Sequence, residues 1–293
     1  MIDLNQFEIL CSVHDGAVAY ATIKENPYFV EKAFNELLLM GLLMNEEMVQ
    51  ITQKGIETLE PYRVKRAIFL AAGFGSRLVP VTLSTPKPLI QVNGNRLIDR
   101  LIDAVIDAGI EEIVIVRGYL KDSFEALRVK YPQIRFIDND GYNKANNISS
   151  AYLVRDILDN ALVLESDLLL YNSKIIRKYE YRSMYMGIPM AESDDWILKT
   201  EGDLIVDIGI TGTNTNQMVG ISYWNQDDAK MLSEDLKHTF ESESGKQLYW
   251  DEVALRYNRE KYKIFLRKVT REDIVEIDTF AELCEIDERY KGA

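Results

Sequence analysis

The 293-residue sequence carries 47 Asp plus Glu against 34 Lys plus Arg, a formal charge of −13, and is 47% hydrophobic and 28% charged. That balance fits one or two soluble globular domains and excludes disordered and fibrous classes. An acidic field of this size repels nucleic acid unless a basic patch is hidden in it. The two histidines, His14 and His238, and two cysteines at opposite ends, Cys11 and Cys284, leave almost nothing from which to build a Cys/His zinc site, a serine–histidine triad or a disulfide framework. Asp3 and Glu8 precede any cation, the reverse of a signal peptide. No apolar run approaches the ~18 residues that span a bilayer. A cytoplasmic protein with reduced thiols and no membrane insertion is the expectation.

In chain order, Phe7, Leu10 and Cys11 have helical spacing, and Asp15-Gly16 stops that helix. Ala17 to Lys24 reads as a second short helix. Asn26-Pro27 reads as the opening of a third, with Val30, Phe34, Leu37, Leu38 and Leu42 as its apolar face. Met44 to Ile51 reads as a β wing, and Thr52 as the cap of a closing helix through Glu60. This order resembles the winged helix-turn-helix of small bacterial regulators, and Ile51-Thr52-Gln53-Lys54-Gly55 resembles the segment that follows the wing there. A domain over residues 1–63 is expected. DNA binding is disfavoured, because residues 1 to 65 hold ten acids against five Lys or Arg, and the third helix offers Glu31, Lys32 and Glu36 but no Arg. Docking of a protein, or self-association, is the expected role.

From residue 64 the pattern changes. Ala67 to Leu70 is a short apolar run suited to a buried parallel strand. A Gly-rich loop follows, then an amphipathic helix with Leu97, Ile98, Leu101, Ile102, Val105 and Ile106. Next come a strand at Glu112 to Val116, a helix over Leu120 to Lys130 and a strand at Arg135 to Ile137. A helix from Asn147 to Leu158 leads to a strand at Ala161 to Glu165. Strands alternating with helices predict an α/β domain over 64–293, with a parallel sheet covered on both faces. Beyond residue 183 strands dominate, at Met184 to Ile188, Trp196 to Thr200, Leu204 to Ile208 and Met218 to Tyr223, before two helices, a strand and a final helix.

The Gly-rich loop is Leu70-Ala71-Ala72-Gly73-Phe74-Gly75-Ser76-Arg77-Leu78, followed by Pro80 and by Thr85-Pro86-Lys87-Pro88-Leu89. It lacks the third glycine of a dinucleotide fingerprint and the G-K-[ST] of a P-loop. Its small residues let backbone approach a phosphate chain, Arg77 can fork two phosphate oxygens, and Lys87 adds a second cation. The stretch resembles the signature of nucleotidyltransferases that join a nucleoside triphosphate to a phosphorylated acceptor. The resemblance implies a nucleotide site of Leu70, Ala72, Gly73, Gly75, Ser76, Arg77, Lys87, Asn146 and Asn147.

Residues 66 to 290 further resemble the bacterial CTP:phosphocholine cytidylyltransferases. The resemblance rests on Val116-Arg117-Gly118-Tyr119, Asn143 to Tyr152, Glu165-Ser166-Asp167, Asp195-Trp196, Gly220 to Trp224, Leu248 to Asp251 and Val275 to Asp278. It implies a Rossmann-like, GT-A-like mixed sheet covered by helices. It also implies Arg77, Lys87 and Asp167 as catalytic residues and Asp167 and Asp278 as ligands of Mg²⁺. Where many relatives read D-x-D, Glu165 takes the first position, which weakens a role for that acid and leaves Asp167. A quaternary ammonium is held by aromatic faces and a carboxylate; Trp196, Tyr223, Trp250 and Asp251 are the candidates. The expected reaction is CMP transfer from CTP to phosphocholine for cell-surface choline decoration. The alternatives are 2-aminoethylphosphonate or a sugar 1-phosphate as acceptor, or a transcriptional regulator using the domain as a ligand sensor.

Overall fold

The computed structural model describes residues 1–291. The chain forms two compact units, Met1–Arg63 with Tyr179–Tyr181, and Val64–Lys178 with Arg182 onward. The returning segment Tyr179–Tyr181 lies outside the expected range 1–63. Glu180 N–H donates to Tyr62 O at 2.9 Å, and the Tyr181 ring stacks on Tyr62 at 5.4 Å.

The first unit holds helices α1 (Leu4–Ser12), α2 (Tyr20–Ile23) and α3 (Glu31–Leu39), a hairpin of β1 (Leu43–Asn45) and β2 (Val49–Ile51), and α4 (Gln53–Leu59). Phe7, Leu10, Phe34, Leu37, Val49 and Leu59 fill its core. Asp3 and Gln6 close a reciprocal cap on α1, and Thr52 Oγ1 accepts from Gly55 N–H at the start of α4. Asn26-Pro27 does not open α3. The Asn26 carboxamide accepts Tyr28 N–H at 2.9 Å and its carbonyl accepts Phe29 N–H at 2.8 Å, which makes a local turn, and the helix begins only at Glu31.

The second unit runs β3 (Arg66–Ala71), the small pair β4 (Gln91–Val92) and β5 (Asn95–Arg96), α5 (Leu97–Asp107), β6 (Glu112–Arg117) and β7 (Arg135–Asp138). It continues with α6 (Ile148–Val154), β8 (Ala161–Glu165), β9 (Leu168–Leu170), β10 (Met184–Ser193), β11 (Ile197–Glu201), β12 (Leu204–Gly209) and β13 (Gly212–Trp224). It ends with α7 (Gln226–Glu241), α8 (Trp250–Glu252), β14 (Phe265–Lys268), β15 (Ile274–Glu276) and α9 (Phe280–Ile286). The segment read as a helix from Leu120 is instead a run of tight 3₁₀ turns over Lys121–Val129.

Nine strands form one mixed sheet in the order β10-β14-β12-β11-β13-β8-β3-β6-β7. β8, β3, β6 and β7 run parallel, and β13 joins β8 antiparallel. Side chains alternate between two cores: Ala67, Phe69 and Ala71 of β3 pack on one face, and Ile68 with the partly buried Leu70 on the other. Burial on both faces explains why β3 reads as a continuous apolar run rather than an alternating one. Leu97, Ile98, Leu101, Ile102 and Val105 of α5 are buried, each worth roughly 1.5–3 kcal/mol. From β3 the chain first adds β6 and β7 on one side and then crosses to β8 on the other. Such a reversal opens a crevice at the carboxyl ends of the strands.

Candidate active site

A cavity of about 820 Å³ lies at that crevice, and the Gly-rich loop after β3 lines it. Gly75 has φ +62°, and a Cβ there would come within 2.9 Å of Lys87 Cβ, so glycine is required both by backbone sign and by space. The loop is braced from outside. Tyr119 N–H donates to Ala72 O at 3.0 Å, its hydroxyl donates to Thr82 O at 2.9 Å, and Thr82 Oγ1 donates to Gly75 O at 3.0 Å. The Phe74 ring sits between Tyr119 and Tyr142, 5.1 and 5.2 Å away.

Two cations meet two carboxylates over this loop. Lys87 Nζ is 2.8 Å from Asp167 Oδ2 and 3.2 Å from Asp278 Oδ1, and Arg77 Nη2 is 2.5 Å from the same Asp278 oxygen. Burial opposes the charge on Lys87, but the carboxylates of Asp167, Asp278 and Glu276 together outweigh it and hold the ammonium above its ordinary pKa. Asp278 is placed by the small antiparallel pair β9–β15, which sets Glu276 opposite Leu168. Ile277 N–H then donates to Asp167 O at 3.2 Å.

Glu165 and Glu276 join the cluster, although the departure from D-x-D weakens the sequence case for Glu165 and Glu276 stands there only within a motif. The carboxylate oxygens of Glu165, Asp167 and Glu276 lie within 4.8 Å of one another, as do those of Asp195, Glu276 and Asp278. Burial, and then the charge of Asp167, push Glu165 and Glu276 well above the usual carboxylate range. Gly220 makes room for this, because a Cβ there would stand 2.5 Å from Glu165 Oε2. Asp167 Oδ1 is buried with no hydrogen-bond partner. Crowded oxygens with one left unpartnered suit a hard divalent cation.

The remaining wall carries Trp196, Tyr249 and Asp251. Trp196 and Tyr249 meet edge to face at 5.5 Å, and the Arg256 guanidinium lies 5.5 Å from the Trp196 ring. Asp251 accepts the Tyr185 hydroxyl at 2.5 Å, and burial pushes its carboxyl up to about 6.

Two expected acceptor residues are elsewhere. Tyr223, 1% exposed, packs in the core and donates its hydroxyl to Asn160 Oδ1 at 3.1 Å. Trp250, 2% exposed, turns inward against Trp224 and Tyr185 at 5.9 and 6.1 Å. Its neighbour Tyr249, 42% exposed, takes the wall position. Adjacent residues at the start of a helical turn point in different directions, so the motif Leu248 to Asp251 does not say which ring faces the cavity. Asn146 and Asn147 line the cavity, but most of their polar atoms are engaged by protein. Asn146 Nδ2 donates to Gln247 O at 3.2 Å, Asn146 Oδ1 accepts Asn147 N–H at 2.7 Å, and Asn147 Oδ1 accepts Trp250 N–H at 2.9 Å.

The nucleotidyl transferase family profile matches residues 66–184. A 2-aminoethylphosphonate cytidylyltransferase of Lancefieldella rimae is 37% identical over 228 residues, which cover 76% of this chain and 92% of that protein. The chain belongs to the nucleotidyl transferase family. A choline-phosphate cytidylyltransferase of Streptococcus pneumoniae is 32% identical to this nucleotidyltransferase, with 78% of this chain and 99% of the relative covered. The solved structure of a CTP:phosphocholine cytidylyltransferase from Streptococcus pneumoniae superposes with a TM-score of 0.71 at 32% identity, covering 78% of this chain and 99% of that one. The structural likeness matches the mixed sheet and its covering helices. Among the described residues no helix is long and apolar enough to cross a membrane.

Proposed function

We propose that this nucleotidyltransferase transfers CMP from CTP to phosphocholine, giving CDP-choline and pyrophosphate. The observation that carries the reading is the composition of the cavity. Arg77 and Lys87 stand over a glycine loop, and Trp196, Tyr249 and the Asp251 carboxylate line the same cavity. The cations suit a triphosphate, and the rings with the carboxylate suit a quaternary ammonium.

An oxygen of the acceptor phosphate attacks the α-phosphorus of CTP, and the bond to the pyrophosphate oxygen breaks. With a second pKa near 6, the attacking phosphate is already largely ionised at pH 7. No general base is needed, and neither histidine lines the cavity. Arg77 and Lys87 neutralise the triphosphate and the leaving pyrophosphate, while the loop backbone aligns the chain of phosphates. Glu165, Asp167, Glu276 and Asp278 would hold Mg²⁺, a wider set than the expected pair Asp167 and Asp278. When bound there, the ion supplies charge neutralisation at the phosphates.

A second acceptor, 2-aminoethylphosphonate, is favoured by one observation. With Tyr223 and Trp250 in the core, Trp196 and Tyr249 are the candidate acceptor rings that line the cavity among the described residues, together with the Asp251 carboxylate, and a carboxylate serves a primary ammonium better than rings do. We read residues 1–63 as a winged-helix module for protein docking, in a cytoplasmic enzyme. The acidic α3 with no Arg supports docking over DNA. Steady-state pyrophosphate release with CTP across phosphocholine, phosphoethanolamine, 2-aminoethylphosphonate and glucose 1-phosphate tests the main reading. The highest kcat/KM should fall to phosphocholine, and a higher value for another acceptor would reject it.

A further inference from the structure

We infer that Asn147 is a positioning residue for the acceptor, rather than a ligand of the nucleotide, and that it acts through the backbone of Trp250. The inference rests on the reading that Tyr249 and Asp251 form the acceptor end of the cavity.

Trp250 opens the three-residue turn α8, so its N–H has no partner within that turn. Asn147 Oδ1, 103 residues away in sequence, accepts it at 2.9 Å. The preceding N–H, that of Tyr249, is taken by Glu252 Oε2 at 3.0 Å. Two further bonds tie the same segments together, Asn146 N–H to Lys246 O at 2.8 Å and Asn146 Nδ2 to Gln247 O at 3.2 Å. The clasp fixes the direction of the turn. That direction sends Trp250 into the core and presents Tyr249 and Asp251 to the cavity. The first of the clasped segments belongs to the nucleotide end, because Tyr142 packs on Phe74 of the phosphate loop at 5.2 Å. The side chain of Asn147 thus joins the loop that faces CTP to the turn that faces the acceptor.

The test is kinetic and uses the full chain. Wild type is first assayed with CTP and the acceptor panel, and its best acceptor is used throughout. Asn147→Ala should raise the KM for that acceptor about tenfold, the size expected when one N–H loses its acceptor. The KM for CTP should stay within about twofold. Asn147→Asp keeps the oxygen and should restore the acceptor KM to within about threefold of wild type. Asn146→Ala should give the same split more weakly, and it decides the matter if Asn147→Ala does not fold. A CTP KM that rises as much as the acceptor KM makes Asn147 a nucleotide ligand and overturns the inference. Unchanged values for both, or a melting temperature that falls in all three variants with no split, overturn it as well. A wild type that prefers another acceptor rejects phosphocholine but leaves the split measurable. A wild type that uses no acceptor rejects both.

Discussion

Lys87 Nζ lies 2.8 Å from Asp167 Oδ2, across 80 residues of sequence. One comes from the Pro86-Lys87-Pro88 segment and the other follows β8, and the sheet order brings them together because β8 pairs directly with β3. The two ends of the proposed chemistry, phosphate neutralisation and metal holding, therefore share one contact.

Removing either cation over the phosphate loop should slow turnover with CTP by about 10²-fold or more. Arg77→Ala should do so with little change in melting temperature, because Arg77 is largely exposed. Lys87→Ala should also lower the melting temperature, because the buried ammonium is the counterion of both Asp167 and Asp278. Normal turnover in both folded variants would reject the assignment of this loop.

Turnover should vanish in EDTA and return with Mg²⁺. Glu276→Gln and Glu165→Gln should weaken Mg²⁺ activation as Asp167→Asn does, since a neutral amide is a poor ligand for a hard cation. Titrating activity against Mg²⁺ for each variant reads this directly, and full activity in EDTA would sink the metal site.

The tryptophans should separate. Trp196→Ala should raise the phosphocholine KM by roughly thirtyfold, the loss of about 2 kcal/mol of cation–π attraction, with the CTP KM nearly unchanged. Trp250→Ala should instead destabilise the fold by about 3–5 kcal/mol, as truncation of a buried aromatic does. Kinetics and a melting curve on both variants decide it, and identical behaviour would contradict the placement of Trp250.

Asp251 sets a pH signature. Its carboxyl, pushed up to about 6 by burial, must be ionised to hold an ammonium, so acceptor kcat/KM should fall as pH drops below about 6. Asp251→Asn should be slow throughout and should lose the Asp251 contribution, leaving the titrations of the acceptor phosphate and of Glu165 and Glu276. The stability effect has the opposite sign. A raised folded pKa means the neutral form favours the fold below the unfolded value of about 3.9, and that contribution is lost as pH rises through 6. Asp251→Asn should therefore melt above wild type at pH 8 and not at pH 4. Equal profiles for the two proteins would remove Asp251 from the acceptor end.

The Gly-rich loop was legible in the sequence because a glycine at positive φ, Gly75, is a local requirement; its role toward phosphate is part of the proposal. The parallel strands were legible because burial on both faces leaves continuous apolar runs such as Ala67 to Leu70. The gathering of Glu165 and Glu276 into the carboxylate cluster was not, since it depends on β9–β15 pairing and on the space left by Gly220, neither of which has a local signature. The choice of Tyr249 over Trp250 turned on the direction of one short turn. The opening of α3 was misplaced because Asn26-Pro27 serves a turn as well as a helix cap.

The central claim is most directly tested by competition. Wild-type enzyme, CTP and Mg²⁺ are mixed with equal, limiting concentrations of phosphocholine, phosphoethanolamine and 2-aminoethylphosphonate, and the CMP-linked products are resolved by mass. The account predicts CDP-choline as the dominant product, with release of one pyrophosphate for each molecule formed. Predominance of the 2-aminoethylphosphonate product would contradict it.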